Sequence, residues 1–511
     1  MNNTDQLRQL MTIDANMNTS DIEERFEQIT KMLFESFAIQ NGEKKYLFKE
    51  IEFYFYNKNH RDIITHPRVS KPLCWYVNDF GGIDLNFESK IKFENRLNSK
   101  GKNVKKYVLD ESAYFGGVLI RQLKEVESGE ILKGPLACAE LFRCYDATGV
   151  DYDFPVLVEH DNGMVGYIRK RRINILPSKQ QVEEKVNSIL ANYQDLLSFK
   201  EQFCNDFAAF KDKQYRFIRC DKLMCDEETN IVYFSPWLKD EKEGHPEFYQ
   251  RLTSKLNEKK IEFRELKCTN DYWARDYMPI QLGENEFLKY RYYPDYLVNS
   301  KKKSDIETIT NATKVLRGMG INCRSTNLII DGGNMVPCGP YIVMTDKVFS
   351  ENRKKKDDAD FKALLESEIG HPVIIIPWTQ QEDDVFGHSD GFIKWCGDNR
   401  ILMGNHGDCC PEEAAVIRRI LENYGFQVTE MRFKDKVASP CYEFNWAYIN
   451  FLQVGKNIIM PKFDIDEDAI ALQYIQAAFP DCSNIEQIEM KKIAKEGGAL
   501  HCISWNVYLP K

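Results

Sequence analysis

The 511-residue chain is notable first for what it lacks. No stretch of about 18 consecutive apolar residues occurs, and the N-terminus, "MNNTDQLRQLMTIDANMNTS", has no apolar run. A spanning helix and a cleavable secretory leader are therefore not expected, and the chain reads as cytosolic with no membrane partner. The 15 cysteines include no CxxC pair, and Cys409 and Cys410 are adjacent. This argues against a disulfide framework or a zinc knuckle, and most of these thiols are expected to be small buried hydrophobes. There is no excess of positive charge: the formal net charge is -9, which gives no general pull toward nucleic acid. Hydrophobic residues at 43% and charged residues at 29% describe an ordinary folded protein long enough to need two or more domains.

The texture changes along the chain. "SDIEERFEQITKMLFESF" has an acidic start and apolar residues at Ile22, Phe26, Ile29, Leu33 and Phe37, which predicts a helix. Aromatic and branched runs follow ("YLFKEIEFYFYN", "PLCWYVN", "YFGGVLIRQLKEV"), then a short helix at "GPLACAELFRCY". These predict an α+β domain over residues 1–175. A charged helical stretch over 176–211 reads as a linker. From 212 onward short strands alternate with helices: "RFIRCDKLMCDEETNIVYFSPWL" reads as a strand pair, "HPEFYQRLTSKLNEKKI" as a helix and "EFRELKC" as another strand, and the rhythm recurs several times. Such repetition predicts a repeated supersecondary unit of α/β class.

Four stretches in this second region place reactive groups where strands should meet loops: "NDYWARDYMPIQ", "LIIDGGNMV", "DDVFGHSDGFIKW" and "EGGALHCISWN". Cys502 is a candidate nucleophile, which needs a base or a nearby cation to ionise. His388 can move protons and lies two residues before Asp390, so on a strand both would face one side. Asp276 supplies a second carboxylate. Two acids beside one cysteine do not suit an amide-cleaving triad, whereas a planar, permanently charged guanidinium between them satisfies both. No cofactor is called for, and no cluster with metal-ligand spacing is evident. His501 adjoins the cysteine but on a strand would point the opposite way, which favours a structural role.

Together these motifs resemble those of the agmatine deiminase and bacterial (Porphyromonas)-type peptidylarginine deiminase family of the guanidino-group modifying superfamily, over roughly residues 212–511. The resemblance implies a pentein α/β propeller of five ββαβ-like units, here preceded by a separate α+β domain. It implies that Cys502 attacks the guanidinium carbon to give a thiouronium, that His388 serves as acid and then base, and that Asp276 and Asp390 grip the guanidinium. It places Asn334 and Gly333 along the site, and Trp273 and Asp271 beside the substrate. Agmatine, yielding N-carbamoylputrescine and ammonia, is the substrate it favours; free or peptidyl arginine and amidino transfer are alternatives. For the far end of the substrate, "FLKYRYYPDYL" offers both Arg291 and Asp295, and the stretch alone does not choose between a carboxylate and an ammonium. Oligomeric state is not readable.

The first region carries another, shorter resemblance. "FKEIEFYFYNKNHRD" followed by "YFGGVLIRQL" is similar to the core of alkyladenine DNA glycosylases, with Glu52 and Tyr54 on the acid-bearing strand and His60 or His66 as the histidine. The basic runs "NSKGKNVKK" and "YIRKRR" would then meet phosphates, making nucleic acid a candidate partner of this domain.

Overall fold

The computed structural model describes residues 2–13, 15–78, 81–98, 100–143, 154–173, 175, 179–193, 197–300, 302–378, 385–482 and 484–510. The chain divides into two units, Met1–Cys220 and Asp221–Lys511. No helix among the described residues is long and apolar enough to cross a membrane.

The first unit is built on a sheet that runs in the order Val156–Glu159, Phe37–Asn41, Lys44–Asn57, Phe115–Glu125, Ile83–Asn86 and Trp75–Val77. The helix Thr19–Ser36 is capped by the Asn18 side chain, which accepts from the N–H of Asp21. It turns Ile22, Phe26, Ile29 and Leu33 onto this sheet, where Phe26 stacks on Phe53 with ring centroids 4.4 Å apart. The helical stretch expected as a linker belongs to this unit's core. Val186, Phe203 and Phe207, from the helices Lys179–Leu190 and Lys200–Lys211, pack with Tyr56, Ile63 and Phe115. The expected strand pair after residue 215 is likewise two strands of different sheets. Arg216–Cys220 pairs with Gly166–Lys170 and Lys44–Asn57 in the first unit, and Ile231–Phe234 opens the second, so the boundary falls at 220/221.

The residues of the glycosylase-like stretch have local partners. Glu52 is fully buried and accepts hydrogen bonds from Tyr54 Oη (2.7 Å), Arg121 Nη2 (2.6 Å) and the N–H of Ile173 (3.0 Å). His60 is buried against Phe210 and Tyr215, and burial lowers its pKa to about 3. The His66 ring sits on the carbonyl of Pro67. In "YIRKRR", Arg169 pairs with Glu27 and Arg172 is buried on Asp62.

The second unit repeats one plan five times. In four repeats an antiparallel strand pair is followed by helix and a parallel third strand. These are Ile280–Gly283, Glu286–Arg291 and Cys323–Ile329; Val336–Cys338, Tyr341–Thr345 and Val373–Ile376; Ile393–Trp395, Arg400–Met403 and Gln427–Glu430; and Leu452–Val454, Asn457–Lys462 and Asn484–Glu489. The remaining sheet joins both ends of the unit: Ile231–Phe234 lies parallel to Glu262–Glu265 and antiparallel to the late strand Ser504–Val507. Parallel strands need a crossover, which the amphipathic helices Pro246–Glu258, Ala359–Ile369, Pro411–Asn423 and Glu467–Ala478 supply. This is the pentein arrangement of five three-stranded α/β units, with the unit's first and last strands in one sheet.

The segments that pass from the third strand of one repeat to the first strand of the next hold the four sequence motifs. They contain Ala274–Tyr277, Gly332–Asn334, Ser389–Gly391, Asn445–Ile449 and the turn over residues 500–503. Each is a helical turn rather than extended strand.

Joining the unit's ends through Ser504–Val507 makes Trp505 a lock on the fold. It is 1% exposed, packs with Tyr233, and donates from Nε1 to the carbonyl of Pro279 (2.8 Å). Trp505→Ala should lower stability by about 3–5 kcal/mol through the lost burial and the cavity left behind. Urea denaturation followed by circular dichroism checks this, and an unchanged midpoint would mean that the closing sheet contributes little.

Candidate active site

Cys502 lies in the turn before the closing strand. Its amide donates to Asn450 Oδ1 (3.2 Å), the amide of His501 donates to the Asn450 carbonyl (3.1 Å), and its carbonyl accepts from the amide of Arg275 (3.0 Å). The cysteine is thus pinned by two other repeats. Gly498 lets this loop close on the first motif, since a Cβ there would sit 2.2 Å from the Trp273 indole. Trp273 therefore borders the cysteine-bearing loop, while its amide donates to Asp271 Oδ1 (2.9 Å).

Because residues 500–503 form a turn, the expected alternation of His501 and Cys502 does not hold. Both approach one oxygen of Asp390: His501 Nδ1 at 2.7 Å and Cys502 Sγ at 3.8 Å from Oδ2. Burial, with Arg275 and Lys394 nearby, lowers the His501 pKa to about 4, so the neutral ring donates Nδ1–H. Burial would raise the Asp390 carboxyl, but that hydrogen bond and nearby His388 and Arg275 hold it below the ordinary carboxylate range.

His388 and Asp390 do not share one face as strand neighbours would, because Ser389–Gly391 is a 3₁₀ turn. The His388 ring turns instead to Asp331, with Nε2 3.0 Å from Oδ2, and to Asp276, with Nδ1 3.5 Å from Oδ1. Gly333 makes this packing possible: a Cβ there would lie 2.6 Å from His388 Nδ1 and 2.9 Å from Asp276 Oδ1. Its N–H donates to Asp276 Oδ1 at 3.0 Å. Asn334 holds the next layer, its Oδ1 accepting from the amides of Thr345 (2.7 Å) and Ser389 (3.3 Å).

The charges of this cluster are unevenly matched. Burial pulls the His388 pKa down, but Asp276 and Asp331 override it and raise it to about 9. Burial raises Asp276 to about 6, helped by like charge from Asp331 and Asp390 against the opposing pull of His388. Burial, then Asp390 and Asp276, push the Cys502 thiol well above its ordinary value. Asp271, one turn earlier, is raised by burial to about 8.

Behind His388 stands a buried lysine that sequence reasoning did not single out. Lys347 Nζ lies 3.5 Å from Asp331 Oδ2, 3.2 Å from Glu351 Oε1 and 3.3 Å from Asp295 Oδ1, and 4.8 Å from the Tyr296 ring centroid. Asp331 is therefore shared between His388 and Lys347, and this holds its carboxyl low against the effect of burial. The pair Asp295 and Arg291 separates: Asp295 faces the Lys347 cluster, whereas Arg291 is exposed and covers the Tyr293 ring at 4.8 Å. Asp331 was within reach of sequence reasoning through the "DGGN" motif. Lys347 and Asn450 carried no such signal, because each gains its meaning from a neighbouring repeat.

Arg275, beside Asp276, takes the opposite side of the loop. It donates to Asn506 Oδ1 and the carbonyl of His501, and lines a cavity of about 70 Å³ with Asp226, Lys394 and Asn506. Asp390 and His501 also line this cavity; Cys502, His388 and Asp276 do not.

The raised His388 pKa makes a checkable claim about charge. A histidine pKa above its unfolded value of about 6.5 adds stability that is complete below that pH and is lost as pH rises through about 9. An NMR titration of imidazole-labelled protein should show one histidine titrating near 9, and Asp331→Asn should lower it by about 1–3 units, the effect of removing an adjacent opposite charge. A titration unmoved by that substitution would remove Asp331 as the partner that charges the ring.

The second unit has relatives among known proteins. A sequence model described as Porphyromonas-type peptidyl-arginine deiminase matches residues 205–507, more than half of the chain. An agmatine deiminase of Ectopseudomonas mendocina is 22% identical over 297 residues, covering 50% of this chain and 79% of the relative. An agmatine deiminase of Pseudomonas putida is 23% identical over 212 residues, covering 35% of this chain but only 57% of its own length. Among solved structures, an agmatine deiminase of C. jejuni is 18% identical with a TM-score of 0.46, covering 57% of this chain and 97% of that one. The motif loops lie within the matched span, and the chain belongs to the Porphyromonas-type peptidyl-arginine deiminase family.

Proposed function

We propose that the second unit hydrolyses a guanidino group through a covalent cysteine adduct. The observation that supports this best is the meeting of Asp276, His388, Asp390 and Cys502, from three different inter-repeat segments, in one buried cluster rich in acid. A guanidinium bound there satisfies Asp276 and Asp390 with paired donors. Its positive charge also offsets the two carboxylates beside sulfur and so draws the thiol pKa down against the effect of burial. The thiol then loses its proton to solvent, giving the thiolate, only when substrate is in place.

In this reading Cys502 Sγ adds to the guanidinium carbon, and the resulting tetrahedral carbon expels ammonia, with the proton supplied by His388, which is charged at neutral pH. The product of this half is an S-alkylthiouronium. Water then adds to the same carbon as His388 takes its proton, and the carbon–sulfur bond breaks. The sum is guanidine plus water giving a ureido product and ammonia. Asp276 and Asp390 hold the carbon within reach of sulfur. Asp331 and Lys347 act through His388, setting its charge and orientation. Trp273 walls the site, and Asp271, Asn334 and Gly333 shape it.

Agmatine is the substrate this reading favours. Asp295, rather than Arg291, faces the cluster, and an acid at the far end suits an ammonium better than a carboxylate. The names of the agmatine deiminase relatives point the same way.

Cys502→Ala should abolish ammonia release from agmatine, arginine and peptidyl-arginine alike, with ureido product and ammonia appearing in equal amounts in the unaltered protein. Amidine transfer without ammonia would sink the hydrolase reading. Asp276→Asn and Asp390→Asn should each cost kcat/KM about 2–5 kcal/mol, the effect of truncating one side of a buried charged contact. For the far end, Asp295→Asn should raise KM for agmatine at least several-fold and leave that for arginine nearly unchanged. Equal effects on both substrates would remove Asp295 from ammonium recognition.

A further inference from the structure

Away from the four motifs, the stretch "NHGDCCPEE" follows the strand Arg400–Met403 and forms two consecutive helices, His406–Cys409 and Pro411–Asn423. Among the described residues, a ring nitrogen of His406, Cys410 Sγ and a carboxylate oxygen of Glu413 all lie within 4.8 Å of one another. We propose that these three side chains form a site for a borderline-soft divalent transition metal of the zinc(II) class.

The groups meet across the join of the two helices, where Cys410 ends the first and precedes the second. The backbone that carries them is fixed. The amide of Cys410 donates to the carbonyl of His406 (2.7 Å), that of Ala414 to the carbonyl of Cys410 (3.0 Å), and that of Gly407 to Glu430 Oε1 (2.7 Å). The His406 ring is oriented by the edge-on contact of Phe392, with centroids 5.0 Å apart, and by Glu413 Oε2, 2.7 Å from Nε2. A tetrahedral ion with bonds of about 2.0–2.3 Å separates its ligand atoms by roughly 3.3–3.8 Å. Parting His406 from Glu413 by under an ångström or so and drawing the sulfur inward is side-chain movement on a fixed backbone.

The donor set selects the metal. Thiolate, imidazole and carboxylate together suit zinc or cobalt and disfavour magnesium and calcium, which take oxygen ligands. The neighbouring acid is already engaged: Asp408 accepts from Arg432 Nε (2.6 Å) and from the amides of Phe433 and Lys434 (2.8 and 3.2 Å). Three protein ligands leave a fourth position for water. On binding, the Cys410 thiol gives its proton to solvent and sulfur bonds the metal as thiolate. The neutral His406 ring binds through a bare nitrogen, and its contact with Glu413 is replaced by two metal bonds. His406 and Glu413 have side chains 16% and 11% exposed, so the site is sheltered yet reachable. The inference is independent of the deiminase reading, and it revises the absence of a metal site read from the sequence.

Cobalt(II) titration of the full-length, metal-stripped protein tests it. The expected result is a thiolate-to-cobalt charge-transfer band with tetrahedral ligand-field absorption, saturating at one equivalent and displaced by zinc(II). Cys410→Ser should abolish the charge-transfer band, and His406→Ala and Glu413→Gln should weaken cobalt binding at least tenfold. Cys409→Ser should keep the band, which shows that the adjacent exposed thiol is not the ligand. No such band in the unaltered protein, or a band that survives Cys410→Ser in a variant with unchanged circular dichroism, overturns the proposal.

Discussion

A shortage of positive charge in a buried place governs this molecule. Asp276, Asp331, Asp390, Asp295 and Glu351 converge around His388 and Lys347, and burying carboxylates is costly unless each finds a partner. The cluster answers by splitting its acids. Asp331 takes both cations and stays low, and Asp390 is held low by the His501 N–H. Asp276 rises to about 6, and Glu351 is pushed well up by burial and by Asp331. What remains is a buried cluster with more acid than base, with a thiol held well above its ordinary pKa beside it. In the proposed reaction, substrate binding and nucleophile activation become one event, since the guanidinium charge that offsets the acids also lowers the thiol.

The repeated fold explains how such a cluster can be assembled. Every third strand of a repeat leads through a short helical turn into the next repeat, and each turn delivers one or two polar groups. Asp276 comes from the first, Asp331 from the second, His388 and Asp390 from the third, Asn450 from the fourth and Cys502 from the fifth. Hydrogen bonds between turns set the spacing: Asn450 to the cysteine loop, Gly333 to Asp276, and Asn334 to the turn after His388. The sheet that pairs Ile231–Phe234 with Ser504–Val507 fixes the last turn relative to the first.

Much of this was legible in the sequence, and the failures share a cause. The helices Pro246–Glu258, Ala359–Ile369, Pro411–Asn423 and Glu467–Ala478 and their flanking strands follow from periodicity, because each repeat is a local unit. The four motifs announced themselves by placing Gly, Asp, His and Cys at strand ends. Side-chain directions did not follow, because strand alternation was assumed across residues 388–390 and 501–502, where the backbone turns. Lys347 was illegible for another reason. A lysine at a helix start reads as solvated surface, and only the packing of Tyr296 over it and the arrival of Asp295 and Asp331 from elsewhere, beside Glu351 of its own helix, make it a buried counter-charge. Strand Arg216–Cys220 shows the same limit at domain scale, since its partner strands lie far back in the sequence.

Placing Lys347 behind Asp331 has a mechanistic consequence. In the proposed reaction, a histidine that gives a proton to departing ammonia and then takes one from water needs a charge state that can change within a turnover. With Asp276 and Asp331 both ionised, His388 holds its proton firmly. Lys347, paired with Asp331, repels the imidazolium and so weakens that hold. Meanwhile a bound guanidinium draws on Asp276 from the other side. In the proposed reaction the imidazolium thus loses electrostatic support on the Asp276 flank when substrate is seated, in addition to the standing effect of Lys347, at the point where proton release is required. A cluster with acids alone would keep the histidine charged throughout, and one with more cations would discharge it before substrate arrived. In the proposed reaction the balance lies between those limits, and Lys347 and Asp331 set it through His388.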